Sequence, residues 1–404
     1  MADSAKTDDV PSASTAPLPD DGKPAVLIIG GLGYVGRWLA LYLHRNNLAS
    51  EVRLVDKVLP QLARLPPEFA DACSQEKFMQ ADASREQSLD RIFTLPSGRP
   101  VSYVFNCGGE TRYSQDPSVY ALRSTSLTTT LATYIANARP APILVEFGTG
   151  MIYKSPSSST ISSGGCSETA QLKPWLKIAK AKLQAEEALE KLVKEKGLNY
   201  VCLRLAHVYG EYDVGFLSRG LCLARVYQNL NRELKWLWTK ELRINTVHIL
   251  DVCNGAWKAA QWCAAHPATA QSRKEDRAFN FVDEGDTRQE TLSTIVSKIF
   301  NIETGFQGSF VSQFAKLNLE SVVDDVNEEI LQPWADMLKQ KGLDGGQGSP
   351  LTPFMEKELL KDHNLCLDAR KARETLEWRV ERPKLTEEGV QEILNSYERM
   401  KWWP

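Results

Sequence analysis

The stretch that decides the fold is VLIIGGLGYVG, residues 26–36. Its first four residues form a short apolar run, which is typical of a strand buried on both faces of a parallel sheet. The chain then passes through glycines at positions 30, 33 and 36, and the apolar pattern that follows predicts a helix over 34–46. A strand, a glycine-rich turn and a helix in this order predict a turn that can hold a diphosphate.

Each glycine of this turn has a separate physical task. Gly30 permits the tight turn that leaves the strand, Gly33 lets the backbone approach a pyrophosphate, and Gly36 lets the helix pack closely against the sheet. The amides of Tyr34 and Val35 begin the helix, where free N–H groups and the positive end of the helix dipole attract phosphate. The turn therefore predicts the first half of a dinucleotide-binding Rossmann unit.

An acid stands where such a unit binds ribose. Residues 51–56 form the second predicted strand, which ends at Asp56, 20 residues beyond Gly36. A carboxylate at this position binds the hydroxyls of the adenosine ribose. The charge of Asp56 favours NAD over NADP, whose 2′-phosphate it would repel, whereas Lys57 beside it weakens that preference. The predicted cofactor is therefore NAD, with NADP left open.

The rest of the first half continues the alternation of strands and helices. Further strands are predicted at 77–80, 101–106, 143–147 and 200–205. A long helix rich in Ala, Leu, Glu and Lys is predicted at 177–196. This alternation predicts an α/β fold of the Rossmann type, with a doubly wound parallel sheet and helices on both faces. After His207 the alternation breaks, apart from returning strands at 246–249 and 278–282.

The break after His207 divides the chain. We expect a dinucleotide-binding domain made of residues 25–210 and about 246–283, and a smaller, mostly helical substrate domain made of residues 211–245 and 284–404. Residues 1–24 are rich in Ala, Ser, Pro, Asp and Thr and lack the apolar stretch of a signal peptide. They are therefore predicted to be a disordered tail.

Composition excludes several other classes of protein. The formal net charge is -3 and no long basic block is present, so nucleic acid is not an expected partner. Eight cysteines form no CxxC pair, and the five histidines do not cluster with them, so we expect free thiols, no metal site and a cytoplasmic location. Four glycines and Arg37 interrupt the apolar stretch 25–43, which argues against a membrane span there.

The GxxGxxG spacing resembles that of the short-chain dehydrogenase/reductase superfamily. Later segments resemble its extended branch, the NAD-dependent epimerase/dehydratase family, which includes nucleotide-sugar epimerases, dehydratases and 3β-hydroxysteroid dehydrogenase-like members. The resemblance covers residues 25–403. It implies NAD-dependent oxidoreductase, epimerase or dehydratase chemistry on a sugar nucleotide or a hydroxysteroid-like small molecule. A homodimer is expected by analogy only, through the helix at 177–196.

Two short segments imply further cofactor contacts. The segment QADA, which ends at Ala83, resembles the family loop whose acid contacts adenine, and that acid is here Asp82. The segment FNCGG after the fourth strand resembles the small-residue stretch along which the cofactor lies, which implies contacts at Cys107 and Gly108.

Three later motifs concern catalysis and the C-terminus. The motif EFGTGMIY, which ends at Tyr153, resembles one in which the hydroxyl four residues before the tyrosine is catalytic, and that position is Thr149. The motif AKLQAE resembles the helix with the active-site lysine, here Lys182, which also binds the nicotinamide ribose. Residues 367–378 resemble a segment that ends in Gly-Trp, with Glu377 in place of the glycine.

Three side chains are candidates for substrate binding. Glu110 and Arg112 follow the fourth strand at the carboxyl edge of the sheet, where substrates bind in open α/β folds. Arg112 could hold a phosphate or carboxylate, or it could be a surface arginine. His207 leaves the sixth strand near the expected nicotinamide end, with a structural histidine as the alternative. Asp251 is predicted to cap a helix at 252–264 rather than to form a catalytic pair with His248.

The resemblance departs from the family at the catalytic base. The family uses YxxxK, in which the tyrosine transfers a proton as hydride moves and the lysine lowers the pKa of the tyrosine. Four residues before Lys182 stands Ile178, and the other register, Lys180, has Leu176. The single YxxxK of the sequence begins at Tyr397, outside the Rossmann unit, and is interpreted as chance.

Two hypotheses follow from this departure. No asparagine lies between 106 and 137, where the superfamily often has one in its active site, and serines and threonines at 124–130 occupy that region. In the first hypothesis the protein is an enzyme with altered acid–base residues. Thr149 would polarise a substrate oxygen, and the proton would come from Tyr153, Tyr209, Glu110 or water. In the second, the protein binds dinucleotide without turnover and serves a regulatory or scaffolding role.

Overall fold

The computed structural model of the protein describes residues 22–346 and 348–404. Of the predicted tail, residues 1–24, positions 1–21 lie outside the described residues. Residues 22–24 lead directly into the first strand.

A seven-stranded parallel sheet forms the centre of the fold. The described strands are, in chain order, β1 (Ala25–Ile29), β2 (Glu51–Asp56), β3 (Phe78–Gln80), β4 (Tyr103–Asn106), β5 (Ile143–Thr149), β6 (Tyr200–Leu205), β7 (His207–Tyr209), β8 (Leu234–Trp236), β9 (Thr246–His248), β10 (Ala278–Phe281) and β11 (Thr304–Phe306). The sheet has the order β10-β6-β5-β4-β1-β2-β3. The chain order reverses between β1 and β4, and ligands of open α/β sheets bind at such a switch point. The predicted Rossmann-type sheet is confirmed.

Helices cover both faces of this sheet. They are α1 (Tyr34–Arg45), α2 (Leu89–Phe93), α3 (Pro117–Tyr120), α4 (Leu127–Asn137), α5 (Ser158–Ser162), α6 (Lys177–Lys196), α7 (Phe216–Leu230), α8 (Ile249–Ala265), α9 (Gln289–Phe300), α10 (Ser309–Leu317), α11 (Leu319–Gln340), α12 (Arg370–Thr375) and α13 (Glu387–Arg399). A π-helical segment, Ala121–Ser126, joins α3 to α4. The region after α8 is mostly helical, as predicted.

The two faces of the sheet bury two separate cores. Val26 and Ile28 of β1 pack in one core with apolar residues of α1 and α8. Leu27 and Ile29 pack in a second core with apolar residues of α4 and α6. Because successive side chains of a strand point to opposite faces, one apolar run serves both cores. The four-residue run that opens the sequence motif is therefore a central strand.

Two predicted elements differ from the structure. The predicted returning strand at 246–249 is β9, which pairs with β7 outside the main sheet. The prediction that Asp251 caps the following helix is wrong. The cap of α8 is His248, whose ring nitrogen Nδ1 accepts from the Leu250 amide at 3.3 Å. Asp251 instead accepts from the amides of Glu381 and Arg382, at 2.7 and 3.1 Å, and so ties α8 to a distant part of the chain.

The described residues form no membrane-spanning helix. Within residues 22–346 and 348–404, no helix is long and apolar enough to cross a membrane. The apolar stretch 25–43 forms β1, the glycine-rich turn and most of α1, as predicted.

Candidate functional site

The glycine-rich turn lies between β1 and α1, at the switch point of the sheet. Gly30 has φ +69°, and a Cβ on it would stand 2.8 Å from the Gly108 nitrogen. A Cβ on Gly36 would stand 2.2 Å from the Gly30 oxygen. These two glycines are therefore required by the packing of the backbone itself. A Cβ on Gly33 would meet only the Gly30 oxygen, at 3.2 Å, so the outer side of Gly33 is open.

The N-terminus of α1 faces this open side. Gly33 is the N-cap residue and offers no side chain to the first turn, which also contains no acidic residue. The amides of Tyr34, Val35 and Gly36 belong to that first turn, where backbone N–H groups lack partners within the helix. An anion is the natural partner of such a helix end. The turn thus combines free amides with the space that a diphosphate needs.

Two acids stand at the tips of the neighbouring strands. Asp56 ends β2, and its carboxylate accepts from the amides of Leu32 and Val58, both at 3.1 Å. These bonds fix the carboxylate beside the glycine-rich turn. Asp82 follows β3 and forms an ion pair with Lys57, with 3.2 Å between Nζ and Oδ2. The charge of Lys57 is therefore engaged by Asp82 and does not neutralise Asp56.

The other side of the cleft is built by the chain that leaves β4. Cys107 donates its amide to the Ile29 oxygen at 2.9 Å, which holds this segment against the end of β1. Gly108 follows and lies against Gly30, as the contact described above shows. Ala83 is buried near the tip of β3 and packs in the second core. The predicted cofactor residues are thus brought together at one edge of the sheet.

Lys182 has an unexpected partner. Its Nζ donates to Oε1 of Glu146 on β5 at 3.0 Å, and the two side chains are only 12% and 1% exposed. Asn106 donates to the other carboxylate oxygen at 2.6 Å and to the Thr128 hydroxyl at 3.1 Å. Burial raises the pKa of Glu146, and the positive charge of Lys182 opposes that rise. The signal for Glu146 in the sequence is a charged residue within an otherwise apolar strand.

Thr149 follows Glu146 on β5, and Ile178 precedes Lys182 on α6. Thr149 is the last residue of β5, and its hydroxyl oxygen accepts from the Met151 amide at 3.2 Å. Ile178 lies in the first turn of α6 and packs against the larger core. The residue four positions before Lys182 is therefore a half-buried apolar side chain that cannot carry a proton.

The tyrosines named as alternative proton donors are buried. The Tyr153 hydroxyl donates to Asn280 at 2.7 Å and accepts from Arg204 at 2.8 Å. Both Tyr153 and Tyr209 are 2% exposed, and burial raises the pKa of each well above the usual value of a phenol. The Tyr153 hydroxyl is therefore engaged in internal hydrogen bonds, and both phenols are neutral at physiological pH.

Glu110 is held between two arginines. Its carboxylate accepts from Arg112 through two bonds of 2.9 Å and from Arg123 at 2.7 Å. The hydrogen bonds from Arg112 lower the pKa of Glu110 to about 2. Glu110 is therefore ionised at neutral pH, and the guanidinium fork of Arg112 is occupied by it. This cluster stabilises the loop after β4.

His207 is buried at the start of β7. Its ring stacks on Phe216, with 3.9 Å between the ring centroids and 13° between the planes. Burial lowers the pKa of His207 to about 3, so the ring is neutral at physiological pH. The residue packs against the N-terminus of α7, where the chain enters the C-terminal region.

Sequence reasoning missed a polar cluster between the β4 loop and α7. Asp213 is 3% exposed, and its Oδ1 accepts from the Gly215 amide at 2.7 Å. Its Oδ2 and the Nε of Arg219 are buried with no hydrogen-bond partner among the described residues. Burial raises the pKa of Asp213 to about 7 and that of nearby Tyr113 to about 12. Tyr397 donates to the Asp213 carbonyl at 2.5 Å, so the C-terminal YxxxK tyrosine has a structural contact.

A carboxylate from the C-terminal region links the loop after β4 to the start of α6. Glu358 is buried, and it accepts from the Ser114 amide at 2.8 Å and from the Lys177 amide at 3.4 Å. Lys177 is the first residue of α6, so Glu358 satisfies a free amide at the start of that helix. One side chain therefore joins the loop after β4 to the helix that carries Lys182.

Comparisons with known proteins agree with this geometry. The family model described as "NAD dependent epimerase/dehydratase family" matches residues 26–271, more than half of the chain. No curated protein matches the chain. Similar solved structures include Pal from Bacillus thuringiensis, with a TM-score of 0.65 and 16% identity over 93% of this chain and 99% of that one.

Two further similar structures are those of a 4-epimerase and a 4,6-dehydratase. The UDP-glucuronic acid 4-epimerase from Bacillus cereus, in complex with NAD, has a TM-score of 0.61 and 14% identity over 93% of this chain and 98% of that one. DesIV, a dTDP-glucose 4,6-dehydratase from Streptomyces venezuelae with NAD bound, has a TM-score of 0.63 and 17% identity over 94% and 98%. At such identities the likeness establishes a common fold.

Proposed function

The chain belongs to the NAD dependent epimerase/dehydratase family, and from this premise we propose that it binds NAD and carries out oxidoreductase, epimerase or dehydratase chemistry on a sugar nucleotide. The observation that carries the proposal is the open side of Gly33 beside the uncapped N-terminus of α1. Gly30 and Gly36 are fixed by backbone packing, whereas nothing in the described backbone requires a glycine at 33. The close approach of a diphosphate would explain a glycine at this position.

The remaining cofactor contacts follow from the same orientation. The carboxylate of Asp56 would bind the adenosine ribose, and Asp82 and Ala83 would lie beside adenine. Because Lys57 is paired with Asp82, the charge of Asp56 stays available to repel a 2′-phosphate, which favours NAD. On the other side, the cofactor would pass Cys107 and Gly108 and reach Lys182.

NAD supplies a hydride acceptor, and the residues of the chain hold the substrate and manage its proton. Thr149 would donate its hydroxyl proton to a substrate oxygen at the tip of β5. Lys182 would donate to the nicotinamide ribose. The substrate would lie between the loop after β4 and the proposed substrate domain, residues 211–245 and 284–404. Tyr153 and Glu110 are engaged in other contacts and Tyr209 is buried, so we propose solvent water as the proton carrier.

The first experiment measures the binding of NAD and then the turnover of substrate. We expect isothermal titration of the purified protein to detect NAD, with weaker binding of NADP. We then expect conversion of at least one of UDP-glucose, UDP-glucuronic acid and dTDP-glucose in the presence of NAD. A hydroxysteroid tests the second substrate class. Thr149→Ala should reduce turnover with little change in NAD affinity, because its hydroxyl is proposed to contact substrate rather than cofactor.

A second candidate function is dinucleotide binding without catalysis. It is favoured by Ile178 in the tyrosine position and by the structural contacts of Tyr153 and Glu110. A correctly placed base contributes about 10²–10⁴-fold to rate, so its loss weakens the enzyme proposal more than the binding proposal. NAD binding without conversion of any substrate tested would select this alternative. Absence of NAD binding would refute both.

A further inference from the structure

Glu146 is a buried acid in the central sheet that the family resemblance does not explain. It lies in β5, in register with Asn106 on β4 and Cys202 on β6, and it is 1% exposed. Moving an ionised carboxylate out of water costs several kcal/mol unless charge and hydrogen bonds compensate. Lys182 is the one cation that the described residues bring within ion-pair distance of it. Lys182 and the hydrogen bond from Asn106 supply that compensation, so the role of Glu146 is to be sought in its effect on Lys182.

The location of the pair indicates what that role is. The Lys182 Nζ stands 3.7 Å from the position that a Cβ on Gly109 would occupy, just beyond the end of β4. Asp56 fixes the adenosine side of the site at the tip of β2. A dinucleotide that crosses the switch point therefore extends its second nucleotide over β4 and β5. Lys182 and Glu146 lie under that second half.

The charges around the pair leave Lys182 and Glu146 to balance each other. The nearby carboxylate of Glu186 is already paired with Arg204 at 2.6 Å, and both side chains are fully buried. The thiol of Cys107 is neutral, because burial raises its pKa. Ile178 supplies no phenolate. Without Glu146, the ammonium of Lys182 would be an uncompensated positive charge.

We propose that Glu146 supplies the negative charge that balances Lys182 beneath the nicotinamide half of NAD, and that it thereby allows the site to hold the oxidised cofactor. The nicotinamide ring is positively charged in NAD⁺ and neutral in NADH. An unbalanced ammonium would repel the first and not the second. Glu146 acts through Lys182 and is therefore a positioning residue. This inference rests on the proposed binding of NAD.

The test is the ratio of the dissociation constants for NAD⁺ and NADH, measured by titration calorimetry with each form. Glu146→Gln keeps the size of the side chain and removes its charge. We expect it to weaken NAD⁺ at least about tenfold more than NADH, because charges a few ångströms apart in a partly buried site interact strongly. Glu146→Asp keeps the charge and should preserve the wild-type ratio. Glu195→Gln, in an exposed pair on the same helix, is the matched control.

Two further variants separate charge from structure. Lys182→Met removes the ammonium, and the buried Glu146, whose pKa burial already raises, should then take up a proton, so that neither charge remains and the ratio should stay close to that of the wild type. The double variant Glu146→Gln with Lys182→Met removes both charges and should return the ratio towards that of the wild type. If Glu146→Gln does not fold, Glu146→Leu removes the same charge and should change the ratio in the same direction.

Equal weakening of NAD⁺ and NADH by Glu146→Gln would overturn the inference, since it would show that the acid only supports the local structure. A ratio in the double variant that stays as high as in Glu146→Gln would overturn it as well, because no ammonium is then left to repel NAD⁺. Failure of the proposed function has a different signature, because the wild-type protein itself would then bind neither form of the cofactor.

Discussion

Replacing Gly33 by alanine separates the fold of the turn from its ligand. Gly33 has φ -66° and ψ 173°, a conformation that alanine adopts without strain. The added Cβ would meet the Gly30 oxygen at 3.2 Å, so that carbonyl must move by a few tenths of an ångström. Alanine is also a poorer N-cap than glycine, by about 1 kcal/mol or less. Reduced freedom of the unfolded chain offsets this by about 0.4–1 kcal/mol.

The free energy of unfolding of Gly33→Ala should therefore stay within about 1 kcal/mol of the wild type. Its affinity for NAD should fall much further, because the methyl group occupies the open side against which the diphosphate would lie. We expect a loss of at least about 100-fold, or about 2.7 kcal/mol of binding free energy. Gly36→Ala provides the contrast. Its Cβ would stand 2.2 Å from the Gly30 oxygen, so α1 must move and stability itself should fall by about 1–3 kcal/mol.

The assay combines denaturant unfolding with titration of NAD into each variant. The expected pattern is a stable Gly33→Ala that does not bind and a destabilised Gly36→Ala. If Gly33→Ala binds NAD as tightly as the wild type, the turn is not the diphosphate site and the proposed orientation of the cofactor is refuted. If Gly33→Ala unfolds as readily as Gly36→Ala, its glycine has a structural role that the described contacts do not contain.

Three further predictions concern single side chains. Ile178→Tyr should raise turnover by about 10-fold or more if the rest of the site is competent, as measured by substrate conversion with NAD, and unchanged turnover would count against the enzyme proposal. Because burial raises the pKa of Asp213 to about 7, the native state holds a proton there that the unfolded chain releases near pH 4, so stability should fall as pH rises through this window. Asp213→Asn should remove that fall, up to about 3 kcal/mol, in denaturant unfolding at pH 5 and pH 8; parallel curves for both proteins would contradict this. Glu377→Gly should raise the melting temperature, since Glu377 has φ +51° and relief of a left-handed residue is worth about 1 kcal/mol, whereas an equal or lower value would argue against strain.

Local chemistry made part of this molecule predictable. The first strand, the glycine-rich turn and α1 are encoded within residues 26–45, because their apolar pattern and glycine spacing act over a few residues. The tip of β2 at Asp56 follows by the same reasoning. Glu377, which stands where the resembling segment has a glycine, lies in the left-handed region, a conformation that was not predicted from the sequence.

Contacts between distant parts of the chain could not be read from the sequence in this way. Lys182 was identified from its helix, but its bond to Glu146 depends on how α6 packs on β5. Asp251 obeys no local capping rule because two amides from another segment bind its carboxylate. Asp213 and Arg219 contact Tyr397 and Phe354, which are far away in the sequence. The spacing of residues within one segment cannot predict contacts of this kind.

The two halves of the proposed cofactor site depend on different chemistry, and this explains why one half keeps its pattern while the other changes. The diphosphate side uses backbone amides and glycines, so it requires a particular turn and tolerates little substitution. The nicotinamide side uses side chains, which can be exchanged one at a time. Ile178, four residues before Lys182, supplies neither a proton carrier nor a negative charge. A buried carboxylate at Glu146 can restore the charge, yet at 1% exposure it cannot reach a substrate oxygen. Binding of NAD is therefore the property that this arrangement protects most directly, and catalysis requires a proton route of its own.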